Sequence, residues 1–208
     1  MSTEYVACIA DIVASRTLAP ARRESLQQRL HAAATALNRD RRWHAALTAR
    51  FALTAGDELQ GLLSDARGIW ALSHTLRAEF PDVTWIFACG RGTLTTRLAS
   101  TRAAPELDGP CFHAARAALD AAKRRRQVLA FGGFPAELDG LAGYYSALYW
   151  SWTPRQRVTA ALLRLYTPEQ VARRLEIDRS AVSHLSRRMG WPHVVTGDTL
   201  FKTMLEAV

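Results

Sequence analysis

Residues 5–13 form a nearly unbroken apolar run of Tyr, Val, Ala, Cys and Ile, the pattern of a strand buried on both faces. The run stops at the polar pair Ser15-Arg16. Residues 20–42 then place Leu26, Leu30, Ala33 and Leu37 on one stripe, which predicts a long amphipathic helix. Residues 47–54 alternate as a strand, and Gly56-Asp57 reads as a turn. Residues 59–63 are either the returning strand or the lead into a helix over 63–80, with Ile69, Leu72 and Leu76 inward. Pro81-Asp82 breaks that helix. Another buried strand spans 83–89, followed by Gly90-Arg91-Gly92 as a turn and a polar, Arg-rich loop to Asp108-Gly109-Pro110. That loop is long enough to suggest function or mobility. A helix over 112–125 and a last strand over 127–131 precede Gly132-Gly133. This alternation predicts an α+β domain over residues 1–134 with its helices on one side of the sheet. Residues 135–152 connect it to the C-terminal quarter, and Tyr145, Tyr149 and Trp152, spaced by four and three, predict an aromatic stripe packed between domains.

Residues 153–208 have the pattern of an all-α module containing a helix-turn-helix. Thr167-Pro168-Glu169-Gln170 is a helix start: Thr caps a free amide, Pro tolerates the first helical position, and Gln170 completes a capping box. Val171, Ala172 and Leu175 give one apolar face, Ala172 being small enough for close crossing by a second helix. Ile177 plugs the turn, and Asp178 is placed to cap the next helix, in which Val182, Leu185 and Met189 face inward. Arg179, Ser180, Ser183, His184, Arg187 and Arg188 provide donors and acceptors of the kinds that reach base edges and phosphates from the major groove. The turn position usually takes Gly because it needs a left-handed backbone, and Glu176 there costs on the order of 1 kcal/mol. The plain alternative is a three-helix core with a basic outer face. The segment resembles the sigma-factor region 4 type of helix-turn-helix, with Trp152-Thr153-Pro154-Arg155-Gln156-Arg157 opening a supporting first helix.

Charge adds modest support. The net charge is +8, with Arg supplying 25 of the 27 basic residues. From Trp152 onward nine basic residues face five acidic ones, so half the excess lies in about a quarter of the chain and suits double-stranded DNA as a partner. The run Lys123-Arg124-Arg125-Arg126 reads as a solvated helix end, where cations offset the negative pole of the macrodipole, or as a contact to phosphate or anionic lipid. Cys8, Cys89 and Cys111 are odd in number and lack metal-ligand spacing, which argues against disulfides and zinc. No apolar stretch is long enough to cross a bilayer, and Glu4 with no preceding basic segment is unlike a leader, so a cytoplasmic protein with no membrane contact is expected.

Candidate chemistry in the first domain rests on two aspartates. Asp11 closes the first apolar run and Asp57 sits at the tip of a turn. If their strands are neighbours, the carboxylates converge at one sheet edge, as in a palm-like site that holds Mg²⁺ or Mn²⁺ against nucleotide phosphates. Ordinary turn carboxylates are the alternative. Ile9-Ala10-Asp11-Ile12-Val13 resembles the first metal-binding strand of class III nucleotidyl cyclases, and Ala55-Gly56-Asp57-Glu58-Leu59 their second, with some likeness to the Gly-Asp-Glu-Phe turn of diguanylate cyclases. More closely, the whole chain resembles the SatD family. Its three motifs stand here as Ala10-Asp11-Ile12-Val13-Ala14-Ser15-Arg16, Gly56-Asp57-Glu58-Leu59-Gln60-Gly61 and Asp108-Gly109-Pro110-Cys111-Phe112.

These resemblances imply a ferredoxin-like, palm-type sheet with Asp11 and Asp57 as metal ligands; no organic cofactor is expected. SatD-like proteins are tied to acid-tolerance operons and carry no assigned reaction. The cyclase pattern departs here at its later Asn and Arg: His113 and Arg116 are three apart instead of four, and His substitutes poorly for an Asn amide. Arg16, Gln60 and Arg91, with His113 and Arg116, are the donors to place near a nucleotide phosphate. His113 reads more simply as a helix-start residue, and a histidine responsive to acid is one further expectation. Besides the blander reading that the C-terminal helices bind another protein, which their basic face disfavours, two functions are compatible with this pattern. One is a homodimeric DNA-binding regulator whose cyclase-like domain senses a nucleotide or metal. The other is a metal-dependent nucleotidyl cyclase or nucleotide-polymerising enzyme with a DNA-targeting module.

Overall fold

The computed structural model describes residues 3–54, 57–98 and 103–208, without the side chain of Arg16. Five strands, β1 (Tyr5–Ile12), β2 (Leu47–Leu53), β3 (Glu58–Leu63), β4 (Trp85–Gly92) and β5 (Leu129–Gly132), form one sheet in the order β2-β3-β1-β4-β5. β1 is central and antiparallel to both neighbours, while β5 is parallel to β4. Eight α-helices accompany the strands among the described residues: α1 (Pro20–Leu37), α2 (Ile69–Glu79), α3 (Pro110–Arg125), α4 (Ala136–Ser151), α5 (Pro154–Leu163), α6 (Pro168–Leu175), α7 (Arg179–Arg188) and α8 (Trp191–Glu206). The 59–63 segment is a strand, and the helix expected over 63–80 begins only at Ile69.

Alternation along β1 divides the core. Val6, Cys8, Ala10 and Ile12 point to one face, where they meet Leu26 and Leu30 of α1, Leu72 and Leu76 of α2 and Leu138 of α4. Ala7 and Ile9 point to the other face, against Cys111, Ala115 and Leu119 of α3. The helices therefore cover both faces, which corrects the one-sided expectation: apolar side chains on both sides of β1 each need a covering layer.

α3 lies unusually close to the sheet. A Cβ at Gly90 would stand 2.1 Å from the Cys111 carbonyl oxygen and 2.1 Å from the Ala115 amide nitrogen, so the glycine is needed for this approach. β4 runs on through Arg91 to Gly92 as strand, where a turn was expected.

The C-terminal helices share the main core. Phe201 of α8 stacks on Trp70 of α2 with ring centroids 4.2 Å apart, and Tyr145 of α4 meets both rings edge-on. Leu205 is fully buried in the same cluster. Trp152 instead packs with Ala160, Met189 and Val194. The aromatic stripe thus joins the two cores, and the division expected at 152/153 is not a break in packing. No helix among the described residues is long and apolar enough to cross a membrane.

Candidate functional site

The C-terminal end of β1 and the start of β3 lie side by side, with Asp11 opposite Glu58 in the register. Side chains at these positions project to the α3 face. Lys123 in the last turn of α3 donates from Nζ to Oδ2 of Asp11 at 2.9 Å. Nearly two turns upstream, Arg116 grips Glu58 with both terminal nitrogens, at 2.5 and 2.7 Å. Gln60, two residues along β3, donates to Oε1 of Glu58 at 2.7 Å, and the Thr54 hydroxyl donates to the same oxygen at 3.1 Å. Asp57 accepts a short hydrogen bond from the hydroxyl of Ser15. Asp11, Ser15 and Asp57 line one cleft of about 510 Å³, together with Lys123, Gln127 and Trp150.

Its electrostatics follow from burial and pairing. Burial pushes the Asp11 carboxyl above its usual range; the hydrogen bond and charge of Lys123 oppose this, while Asp57 and Glu58 reinforce it. Burial also pushes Glu58 upward, but the hydrogen bonds from Arg116, Gln60 and Thr54 outweigh it and hold that carboxyl below its usual range. Glu58 is thus a fixed anion saturated by its neighbours, whereas Asp57 has a hydroxyl partner and no cation among the described residues. Among those residues, no three His, Cys, Asp or Glu side chains gather as a metal site. Two carboxylates are nevertheless a donor set that fits Mg²⁺, which uses one or two and keeps several waters.

Asp11, Asp57, Gln60 and Arg116 are therefore brought together, although Gln60 and Arg116 point their donors at Glu58 and not into open space. Two expected phosphate donors belong elsewhere. Arg91 pairs with Val6 in the register, five residues along β1 from Asp11, roughly 17 Å at strand spacing, and binds Glu4 at 2.9 Å. The glycines flanking Arg91 admit α3 and do not make a phosphate turn. His113 lies at the start of α3 with Nε2 2.9 Å from Oδ1 of Asp108, and both side chains are largely exposed. The side chain of Arg16, and residues 55 and 56 of the second motif, lie outside the described residues. Glu58 and Lys123 went unrecognised in the sequence: Lys123 stood within a basic run that reads as solvated, although it is one of only two lysines in the chain.

The second candidate surface is on α7. Capping boxes on Thr153 and Thr167 open α5 and α6, each with Pro following and Gln three residues on. Glu176 ends α6 with φ 52° and ψ 47°, the left-handed turn expected there. Asp178 makes no side-chain cap to α7, contrary to expectation. Val182 is fully buried against Val171 and Ala172, with Leu185 and Met189 packed inward as well. Arg179, Ser180, Ser183, His184, Arg187 and Arg188 are all exposed. Arg179 reaches Oε1 of Glu169 on α6 at 2.8 Å. The Ser183 hydroxyl donates to the Arg179 carbonyl. The side chains of Arg187 and Arg188 have no hydrogen-bond or ion-pair partner among the described residues.

The fold and cleft define an α+β protein in which acids at a sheet edge meet bases from an overlying helix, with a bundle of helices appended. Residues 5–128 match the SatD family, and the chain belongs to that family. The matched stretch ends just before β5, so α4 to α8 lie beyond it. No curated protein matches the chain.

Proposed function

We propose that the chain is a DNA-binding regulator that reads double-stranded DNA with α7 and senses a nucleotide in the Asp11 cleft. The observation that carries this reading is the division of α7: Val182 is fully buried, while six polar residues from Arg179 to Arg188 stand in solvent with four of them basic or imidazole-bearing. Arg187 and Arg188 stand in the last turn of α7, where cations also offset the macrodipole, and with no partner among the described residues their guanidinium groups remain available to phosphate or base edges. The crossing at Ala172 and the left-handed residue at Glu176 belong to the same helix-turn-helix reading. A homodimer is expected, because one such unit buries little DNA surface and operators usually present paired half-sites.

For the first domain, the connectivity β1-α1-β2-β3-α2-β4 with order β2-β3-β1-β4 supports a ferredoxin-like, palm-type reading, with β5 added beside β4 and α3 laid over the face opposite α1 and α2. Asp11 and Asp57 are the residues to hold Mg²⁺ or Mn²⁺, which when bound would neutralise phosphate charge. Lys123 is placed to exchange its partner Asp11 for an arriving phosphate oxygen, and Ser15 to orient Asp57. Arg116 orients Glu58. This assignment keeps the site a sensor, since Arg116 is spent on Glu58 and His113 sits at the far end of α3, while Arg126, which does line the cleft, lies over the Trp150 ring.

The test is selection of bound fragments from random duplex DNA, followed by footprinting. Arg187→Ala is expected to weaken the selected site by about 1 to 3 kcal/mol if it contacts a guanine, and to relax preference at that position. Binding left unchanged by both Arg187→Ala and Arg188→Ala would defeat the reading. The enzyme alternative is favoured by the two aspartates lining one cleft. Incubation with each nucleoside triphosphate and Mn²⁺ separates the two: product lost in both Asp11→Asn and Asp57→Asn would establish catalysis.

A further inference from the structure

The lining of the Asp11 cleft divides into two kinds of chemistry. Asp11, Asp57 and Lys123 carry charge, whereas Val13 and Trp150 are apolar. The Val13 amide donates to the Thr84 carbonyl and so prolongs the ladder of β1 with β4. Alternation then puts Val13 on the same face as Asp11, about 7 Å further along the strand. At 40% exposed, it is one of the few large apolar side chains left in water among the described residues. A phosphate alone would use the charged end of the cleft and leave this apolar end wet.

Trp150 offers that end a flat, oriented surface. It stands in the last turn of α4, partly exposed, and its indole Nε1 donates to the Arg126 carbonyl at 2.6 Å, which fixes the plane of the ring. Two guanidinium groups lie over the ring, that of Arg157 at 4.7 Å from its centroid and that of Arg126 at 5.4 Å. Arg157 is pinned by the carbonyls of Tyr149 and Trp150. Arg126 is exposed, lines the cleft and has no ion-pair partner among the described residues. Its guanidinium can therefore turn into solvent without breaking a salt bridge, and it then uncovers the indole. Lys123 and Arg126 are three residues apart at the end of α3, about 5 Å, so the charged end and the indole lie within reach of one nucleotide.

We propose, resting on the nucleotide reading of this cleft, that the ligand is taken by its base: the base stacks on the Trp150 indole in place of the Arg126 guanidinium and covers Val13, while the phosphates lie toward Asp11, Asp57 and Lys123. The ligand class is then a nucleotide with its base, and inorganic polyphosphate is a poor substitute. Every base has a flat π face, so stacking is tolerant of base identity. Trp150 thus separates nucleotides from bare phosphates without choosing among bases.

The experiment is calorimetric titration of the full chain, in Mg²⁺, with ATP, with GTP and with inorganic tripolyphosphate. Trp150→Leu is expected to weaken at least one of the nucleotides by about tenfold and to leave tripolyphosphate unchanged, and Trp150→Phe is expected to keep most of the nucleotide affinity. Retained tripolyphosphate binding also reports that the leucine variant is folded. In the parent protein, the indole N–H resonance of Trp150, identified by its loss in Trp150→Phe, is expected to shift with that nucleotide and to stay in place with tripolyphosphate. Nucleotide affinity unmoved by Trp150→Leu, an equal loss for tripolyphosphate, or an indole resonance that does not move at saturation overturns the stacking assignment and leaves the cleft a nucleotide site. If neither nucleotide binds the parent, the nucleotide reading itself falls and the stacking assignment with it.

Discussion

Nζ of Lys123 stands 2.9 Å from Oδ2 of Asp11, joining the last turn of α3 to the end of the central strand. The Asp11 side chain is 14% exposed and the Lys123 side chain 44%, so removing the lysine leaves a mostly buried carboxylate alone.

Lys123→Met is therefore expected to destabilise the protein by about 1–2 kcal/mol at neutral pH, less than the roughly 3–5 kcal/mol of a fully buried pair because the ammonium is half in water. Asp11, already raised by burial, moves higher still without its partner. An acid whose folded-state pKa is raised binds protons more readily folded than unfolded, so the deficit shrinks as pH falls through that value. Urea unfolding of Lys123→Met and Asp11→Asn/Lys123→Met at several pH values checks this, the double variant recovering most of the loss.

His74 gives the opposite dependence. Burial, then Arg164, Arg77 and Lys202, hold its pKa well below the ordinary 6.5. Below pH 6.5 the unfolded chain gains a proton that the folded one refuses, so stability contributed by the neutral ring is lost as pH falls, at up to about 1.4 kcal/mol per pH unit. His74→Phe is expected to remove this slope. Parallel slopes for the two proteins between pH 6.5 and 5 would show that the ring does not resist protonation.

Gly90→Ala is expected to lower stability by about 3 kcal/mol or more, above the ordinary range for overpacking, because its new Cβ meets backbone and not a flexible side chain. Calorimetric melting measures it, and a loss equal to that of an exposed Gly→Ala change would mean α3 can lift without penalty.

Glu176→Gly goes the other way. With φ at 52° the side chain is strained, and glycine is expected to stabilise by about 1 kcal/mol, less a part lost to greater freedom of the unfolded chain. A urea midpoint that falls would contradict the left-handed assignment.

Much of the architecture was legible. Continuous apolar runs marked β1 and β4, and Thr-Gln capping pairs, each with Pro after the Thr, marked the starts of α5 and α6. The two-sided cover was also present in the run at 5–13, since Ala7 and Ile9 are as apolar as Val6 and Cys8; a one-sided sheet would have left them wet. Site geometry was less legible. Asp11 and Asp57 announced themselves by motif, but the grip of Arg116 on Glu58 and of Lys123 on Asp11 spans 58 and 112 residues of chain and depends on where α3 lies. Arg91 misled because glycine on either side has two uses. Here it makes room for a helix, and nothing local distinguishes that from room for a ligand.

The stacking of Phe201 on Trp70 means that the last helix is a wall of the first domain's interior. A chain ending after α4 would present that indole to water and lose part of its own core. The helix that carries Arg187 therefore sits between two segments anchored in the body, α6 through the α5 junction and α8 through Phe201. Heat or denaturant should melt the whole chain in a single step, and a change at the sheet has a solid path to the outer helical face.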